Sequence, residues 1–302
     1  MALIDTLLSG QLLFAALVTG SIYALVALGL NLVYGTMRML NVAHGDLVML
    51  GAYGGYWGFT LWNVSPLVAA PVVALLGGAL GVALYRGVFR AMLARSTPAS
   101  AGRLEGNSLL LFFGLSILLQ NAAALAFTPN NRAIDYLGAV WHVAGVAMTG
   151  NRLVSLLVAS TVCIAIALYL SRSVAGLAMR AVIERREAAL IVGVDVDRVQ
   201  WQSFALGFGS AALAGVLLSM LEQFSPFSGF PFTIAGFIVI ILGGLGNVMA
   251  GLAAALLLGA IETYGVALTS ANLRSVLLYG CFVGALLLFP DGLFGKRAGR
   301  RS

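Results

Sequence analysis

Seven stretches of the chain contain no Asp, Glu, Lys or Arg: Gly10–Tyr34, Leu47–Tyr85, Gly106–Asn131, Leu153–Ser171, Val199–Leu221, Gln223–Ile261 and Ser275–Pro290. A membrane-spanning helix needs about 20 apolar residues to cross roughly 30 Å of hydrocarbon. Leu47–Tyr85 is too long for one crossing, and Asn63-Val64-Ser65-Pro66 in its middle supplies a turn, so it reads as a helical hairpin. Gln223–Ile261 would be about 58 Å long as one helix. It contains Gly243-Gly244-Leu245-Gly246-Asn247 and reads as two passes broken there. The pattern predicts an all-α polytopic protein of eight to nine transmembrane helices with broken or re-entrant segments. Alternation over Ala139–Ala147 predicts a short hairpin between two of them.

Composition makes the membrane reading firm. Of 302 residues, 61% are apolar and 9% charged, against roughly 45–50% and 25% in soluble domains. A globule of this size cannot hide that much apolar surface from water. A soluble enzyme, a nucleic-acid binder and a disordered chain are thereby excluded. The net charge of +6 matters less than its placement. Thirteen of the 17 basic residues fall in three places: Arg86–Arg103, Arg172–Arg198 and Lys296–Arg301. Basic loops stay in the cytoplasm, so parity gives nine crossings, a cytoplasmic C-terminus, a periplasmic N-terminus and an external Asn130–Arg152 segment. The start of the chain lacks a basic n-region and carries Asp5, so it is expected to remain as the first span. The whole of 1–302 reads as one transmembrane domain, with a cytoplasmic loop at 172–198 and a basic tail at 295–302. Cys163 and Cys281 lie in apolar runs and read as structural, and the two histidines lack ligand-spaced partners, so no metal site is expected.

Three stretches carry candidate function. The first is Gly35-Thr-Met-Arg-Met-Leu-Asn-Val-Ala-His-Gly-Asp46, followed by Leu50-Gly-Ala-Tyr53. Such a polar break within a membrane is tolerated only where it is packed in protein or lines a wet cavity. Asn41 and His44 either bind a ligand or cap the next helix, and Asp46 suits that helix's first turn. The second stretch, Gly176–Arg198, reads as a charged helix closed by Gly193. Arg180, Glu184 and Glu187 stand at spacings that allow mutual pairing. It is either a solvated loop or a docking element, and Glu187-Ala-Ala-x-x-x-Gly193 favours docking. The third is Ile241–Gly251 with Leu258-Gly-Ala-Ile-Glu262. Its spacing echoes Asn41…Gly45…Gly51-Ala52 and suggests an internal repeat.

Together these stretches resemble the permease subunits of branched-chain amino acid ABC importers, the LivH/LivM type, and the LivH side more closely. The resemblance runs from about Leu12 to Gly295. It rests on Met37-Arg38-x-Leu-Asn-x-Ala-His-Gly45, Leu50-Gly-Ala-Tyr53, Arg180…Arg-Glu-Ala-Ala…Gly193, Leu242-Gly-Gly-Leu-Gly246 and Phe289-Pro-Asp-Gly-Leu-Phe294, in that order. Arg185 stands where the family pattern often has an acidic residue, and Val42 where it usually has Phe. The resemblance implies a subunit of a bacterial inner-membrane importer that pairs with a second, related permease. Two cytoplasmic ABC ATPases would bind ATP and Mg, and a periplasmic solute-binding protein would deliver the cargo. The ATPase-coupling role falls on Arg180, Glu184, Glu187, Ala188 and Gly193.

No G-x-x-x-x-G-K-[ST] occurs in the chain, so no cofactor is expected on it and it should not hydrolyse ATP alone. Asn41, His44, Tyr53, Asn247 and Glu262 are the candidates for the substrate path. Urea, short-chain amides and other amino acids are alternative cargoes. A proton-coupled secondary transporter is the rival of another class, with Glu222 and Glu262 as proton carriers. A membrane-embedded enzyme would need a cluster of His, Asp or Glu at bilayer depth, which only His44 and Asp46 approach.

Overall fold

A computed structural model describes residues 9–94, 101–143, 146–288 and 292. Asp5, Arg95, the 295–302 tail and all of the Phe289–Phe294 motif but Gly292 lie outside the described residues. In chain order the helices are α1 (Gly10–Met37), α2 (His44–Trp62), α3 (Pro66–Leu84) and α4 (Ala101–Phe127), then α5 (Gly150–Arg172), α6 (Val174–Glu184) and α7 (Arg186–Ile191), and finally α8 (Val196–Ser219), α9 (Gly229–Gly243), α10 (Val248–Leu268) and α11 (Arg274–Leu288). A π-helical turn, Tyr85–Phe89, and a last turn, Arg90–Ala94, prolong α3. Strands β1 (Val140–Val143) and β2 (Val146–Thr149) form an antiparallel hairpin that pairs Val140 with Thr149.

Local chemistry sets these boundaries. Asn63 ends α2 in the left-handed region, the Ser65 side chain accepts the Val68 N–H, and Pro66 opens α3, so the predicted turn forms as expected. Gly244 and Gly246 adopt positive φ between α9 and α10, where a side chain would be strained. Seven helical segments among the described residues are long and apolar enough to cross a membrane. Of the four remaining helices, α6 and α7 form the charged loop, and α2 and α9 supply the broken segments. At 15 residues, α9 extends about 22 Å, short of a full crossing.

Helices α1 and α8 form the middle of the bundle and are mostly buried, whereas α3, α4 and α11 leave most of their apolar surface open. Helix α8 packs on α1, α2 and α3, and α1 packs on α10. Small residues allow this closeness, as expected where no hydrophobic force draws helices together. A Cβ on Gly215 would collide with the Val48 carbonyl oxygen, and one on Gly51 with that of Ala212. The motif Leu50-Gly-Ala-Tyr53 is therefore in part an α2–α8 packing signature.

The loops sort to two ends. At one end, Arg132 and Phe224 exchange backbone hydrogen bonds of 2.8 and 2.9 Å, and Asn151 Nδ2 donates to the Met220 carbonyl. At the other lie α6, α7 and the Gly244–Asn247 turn, with Ile183 against Gly35 and Gly246. The hairpin and the elbow thus lie at opposite ends of the bundle, but the expected nine full crossings are not met, because α9 is too short to be one.

Candidate functional site

The first candidate locus lies inside the bundle. Arg38, in the left-handed region, ends α1 and donates its N–H to the Tyr34 carbonyl. The next residues run back alongside α1 until His44 Nε2 meets the Val26 carbonyl at 2.9 Å. Val26 lies about 16 Å up the helix from Met37, so α2 starts within the bundle rather than at its surface. Gly45 N–H donates to Thr233 Oγ1 at 2.9 Å, and that hydroxyl donates to the Val42 carbonyl at 3.0 Å. A Cβ on Gly45 would collide with the Gly229 carbonyl oxygen. The starts of α2 and α9 therefore touch, bringing two helix N-termini together at depth.

Neither Asn41 nor His44 caps α2 with its side chain, which corrects the capping alternative. The imidazole engages the Val26 carbonyl on the preceding helix through Nε2, and its Nδ1 has no partner among the described residues. Asn41 is fully buried, and both polar atoms of its side chain lack a partner among the described residues. Asp46 is buried and accepts a hydrogen bond from Gln120 Nε2 at 2.9 Å.

Tyr53 and Asn247 lie away from this locus. Tyr53 stacks on Phe127 with ring centroids 4.6 Å apart and meets Phe224 edge-on at 5.0 Å. It belongs to an aromatic cluster beneath the hairpin end, where Arg132 lies over Tyr56 and Trp57. Asn247 is at the other end and caps α10 by accepting the Ala250 N–H at 3.1 Å. Its turn is clamped by Asn31 of α1, whose Nδ2 donates to the Asn247 carbonyl and whose Oδ1 accepts the Gly246 N–H. Asn247 borders a cavity of about 430 Å³ shared with Arg180, Ile183 and Glu184. Asn31 was not foreseen, because a lone Asn in a long apolar helix has no local signal.

The charged loop is an elbow rather than one helix. Ser173 caps α6 by accepting the Gly176 N–H at 2.9 Å. The backbone then turns extended at Arg185 (φ −151°), and α7 follows. Gly193, at φ +83°, ends the elbow in the left-handed region as its sequence position predicts. The expected pairing among Arg180, Glu184 and Glu187 does not form among the described residues. The bend at Arg185 puts Glu184 and Glu187 on different helices, and the Arg180 guanidinium donates instead to the Ser171 carbonyl at 3.2 Å. Residues 184–188 are exposed, and so are the apolar Leu190, Ile191 and Val192.

The last locus is ionic. Glu262 is buried in α10 and accepts hydrogen bonds from the Tyr23 hydroxyl and Arg274 Nε. Arg274 Nη1 also reaches both carboxylate oxygens of Glu222 at 3.0 Å. Both glutamates stand out in the sequence, whereas Tyr23 and Arg274 were not foreseen. A signal for Arg274 was present, since it is the one basic residue between Arg198 and Lys296.

Comparison with known proteins fits this geometry. The family described as the branched-chain amino acid transport system permease component matches residues 12–289. The high-affinity branched-chain amino acid transport permease protein BraD of Pseudomonas aeruginosa is 29% identical over 301 residues, covering 95% of each chain. LivH of Escherichia coli, named for the same transport, is 28% identical over 295 residues, again covering 95% of each. PsaBC of Streptococcus pneumoniae, solved in complex with Fab, shares the fold at a TM-score of 0.52 and 13% identity, covering 96% of both chains. The chain is an integral multi-pass membrane protein and belongs to the branched-chain amino acid transport permease family.

Proposed function

We propose that this protein is the membrane-spanning subunit of an ABC importer that carries branched-chain amino acids across the bacterial inner membrane. The observation that carries the reading is the α6–α7 elbow, an exposed two-helix projection on one end of a bundle that has no nucleotide-binding motif. A motor must come from elsewhere, and the elbow is the part shaped to receive its stroke. The partners are a second, related permease, two cytoplasmic ABC ATPases and a periplasmic solute-binding protein. The elbow end, with Arg180, Glu184, Glu187, Ala188 and Gly193, faces the cytoplasm together with the C-terminus. The hairpin end and the N-terminus face the periplasm.

In this mechanism ATP binding closes the ATPase pair, and the elbow passes that movement to α5 and α8, between which it is strung. Access to a path between the two permeases then alternates from one side to the other. The meeting of the α2 and α9 N-termini around Thr233 supports a place where such a path is controlled, because broken helices can re-aim without unfolding whole spans. Asn41 supplies unused hydrogen-bonding capacity there.

The test is leucine import into proteoliposomes holding the complete complex. Import is expected to require ATP and to survive an uncoupler. Glu187→Trp and Gly193→Trp are expected to abolish it while the chain still inserts and the complex assembles. Uptake at the normal rate in either variant overturns the coupling role, and loss of wild-type uptake with the uncoupler overturns the ABC reading.

A further inference from the structure

We propose that the cavity under the hairpin end, walled by α1, α8, α9 and α10 and by the starts of α5 and α11, is a reception site for a free α-amino acid with an apolar side chain. The cavity measures about 370 Å³, within the range of small-ligand pockets, roughly 300–1,000 Å³. Its lining has three separable parts. Leu12, Val18, Ile22 and Val266 make an apolar wall. Glu222 and Glu262 supply two carboxylates, and Arg274 bridges both, so this side carries one negative charge in excess. Arg152 also lines it, and its exposed guanidinium makes no ion pair or hydrogen bond among the described residues.

A ligand that satisfies this surface needs a cationic group, an anionic group and an apolar body. The ammonium of an amino acid meets Glu222, whose side chain is 42% exposed. Its carboxylate meets Arg152, which can hold two oxygens in a fork. The apolar side chain turns to α1 and Val266. A neutral amide or urea leaves both charges unmatched, and an isolated anion or cation leaves one, with a desolvation penalty in each case. Glu262 and Tyr23 are positioning groups here, since they fix Arg274 from the buried side.

The site rests on the importer reading, in which this end faces the periplasm and receives cargo from the binding protein. The experiment is leucine import by the complete complex in proteoliposomes, with substitutions at the exposed charges, where folding is least at risk. Wild-type import is measured first, and its absence removes the importer reading and the site with it. With import established, Arg152→Gln and Glu222→Gln are each expected to lower it at least tenfold, and Arg152→Lys to restore most of it. A smaller loss in both neutral variants, or no rescue by lysine, overturns the site and leaves the importer reading standing. A second readout needs no charge change. Import by Val266→Cys is compared before and after a bulky maleimide is attached from the outer side. Loss on labelling is expected, and unchanged import in fully labelled complex overturns the site.

Discussion

Glycine does opposite things in the middle and at the rim of this bundle. Between α1, α2, α8 and α10 it sets the distance between backbones. Gly215 lies against Val48, Gly51 against Ala212, and Gly259 against Gly20, each too close for a methyl group. On α4 and α11, a Cβ at Gly114, Gly280 or Gly284 would meet nothing within 4 Å. Those helices also present open apolar side chains such as Leu110, Leu118, Val276 and Leu287. The same residue type is a fixed spacer in one region and a smooth outward surface in the other. Composition does not separate the two roles. The interior is locked by contacts that cannot relax because backbone has nowhere to go, while the rim is free to meet lipid or another chain.

This contrast can be broken by substitution, taken from the strongest expected effect downward. Gly215→Leu should prevent folding outright, because overpacking that typically costs about 1–3 kcal/mol is here directed at backbone that cannot yield. The measurement is the yield of monodisperse protein after detergent extraction, and near-normal yield would show that α2 and α8 are not locked. Arg274→Ala should come next, at about 3 kcal/mol, because it leaves the buried Glu262 without its cation. A fall in the unfolding midpoint that Glu262→Gln partly reverses in the double variant would confirm the cause. His44→Ala should cost about 1 kcal/mol, the net worth of its hydrogen bond to the Val26 carbonyl, which keeps its own partner within α1. The same thermal scan reads it, and no change would mean that the imidazole does not pin the start of α2. Gly280→Ala should lie at the bottom, within about 0.5 kcal/mol of the parent or slightly stabilising through better helix propensity. A large destabilisation of the isolated chain would abolish the distinction between rim and interior.

Much of the architecture was legible because it is decided locally. A charge-free run of sufficient length specifies a spanning helix. Asn63, Ser65 and Pro66 stop one helix and start the next through their own backbone preferences. Gly193, Gly244 and Gly246 mark turns because they tolerate positive φ. The hairpin at 140–149 followed from alternation. The site was legible only in fragments. Glu262 stood out as a carboxylate in an apolar run, but its partner Tyr23 is 239 residues away. His44 looked like a cap or a ligand-binding group, and the carbonyl it holds lies on the preceding helix. The pairing expected of Arg180, Glu184 and Glu187 failed because it assumed one continuous helix, and Arg185 interrupts it.

Sequence alone determined that the chain is a helical membrane protein, roughly where it crosses, where it bends and which family its motifs match. These properties depend on the solvation of each segment and on the torsions of single residues, and both are carried by neighbours in the chain. Tertiary structure alone decided that α2 and α9 begin against each other inside the bundle. It alone brought Arg274 between two carboxylates and put Arg152 on the lining of the same cavity. Such meetings depend on how closely backbones approach in three dimensions, and that is a property of pairs of helices rather than of any stretch of sequence.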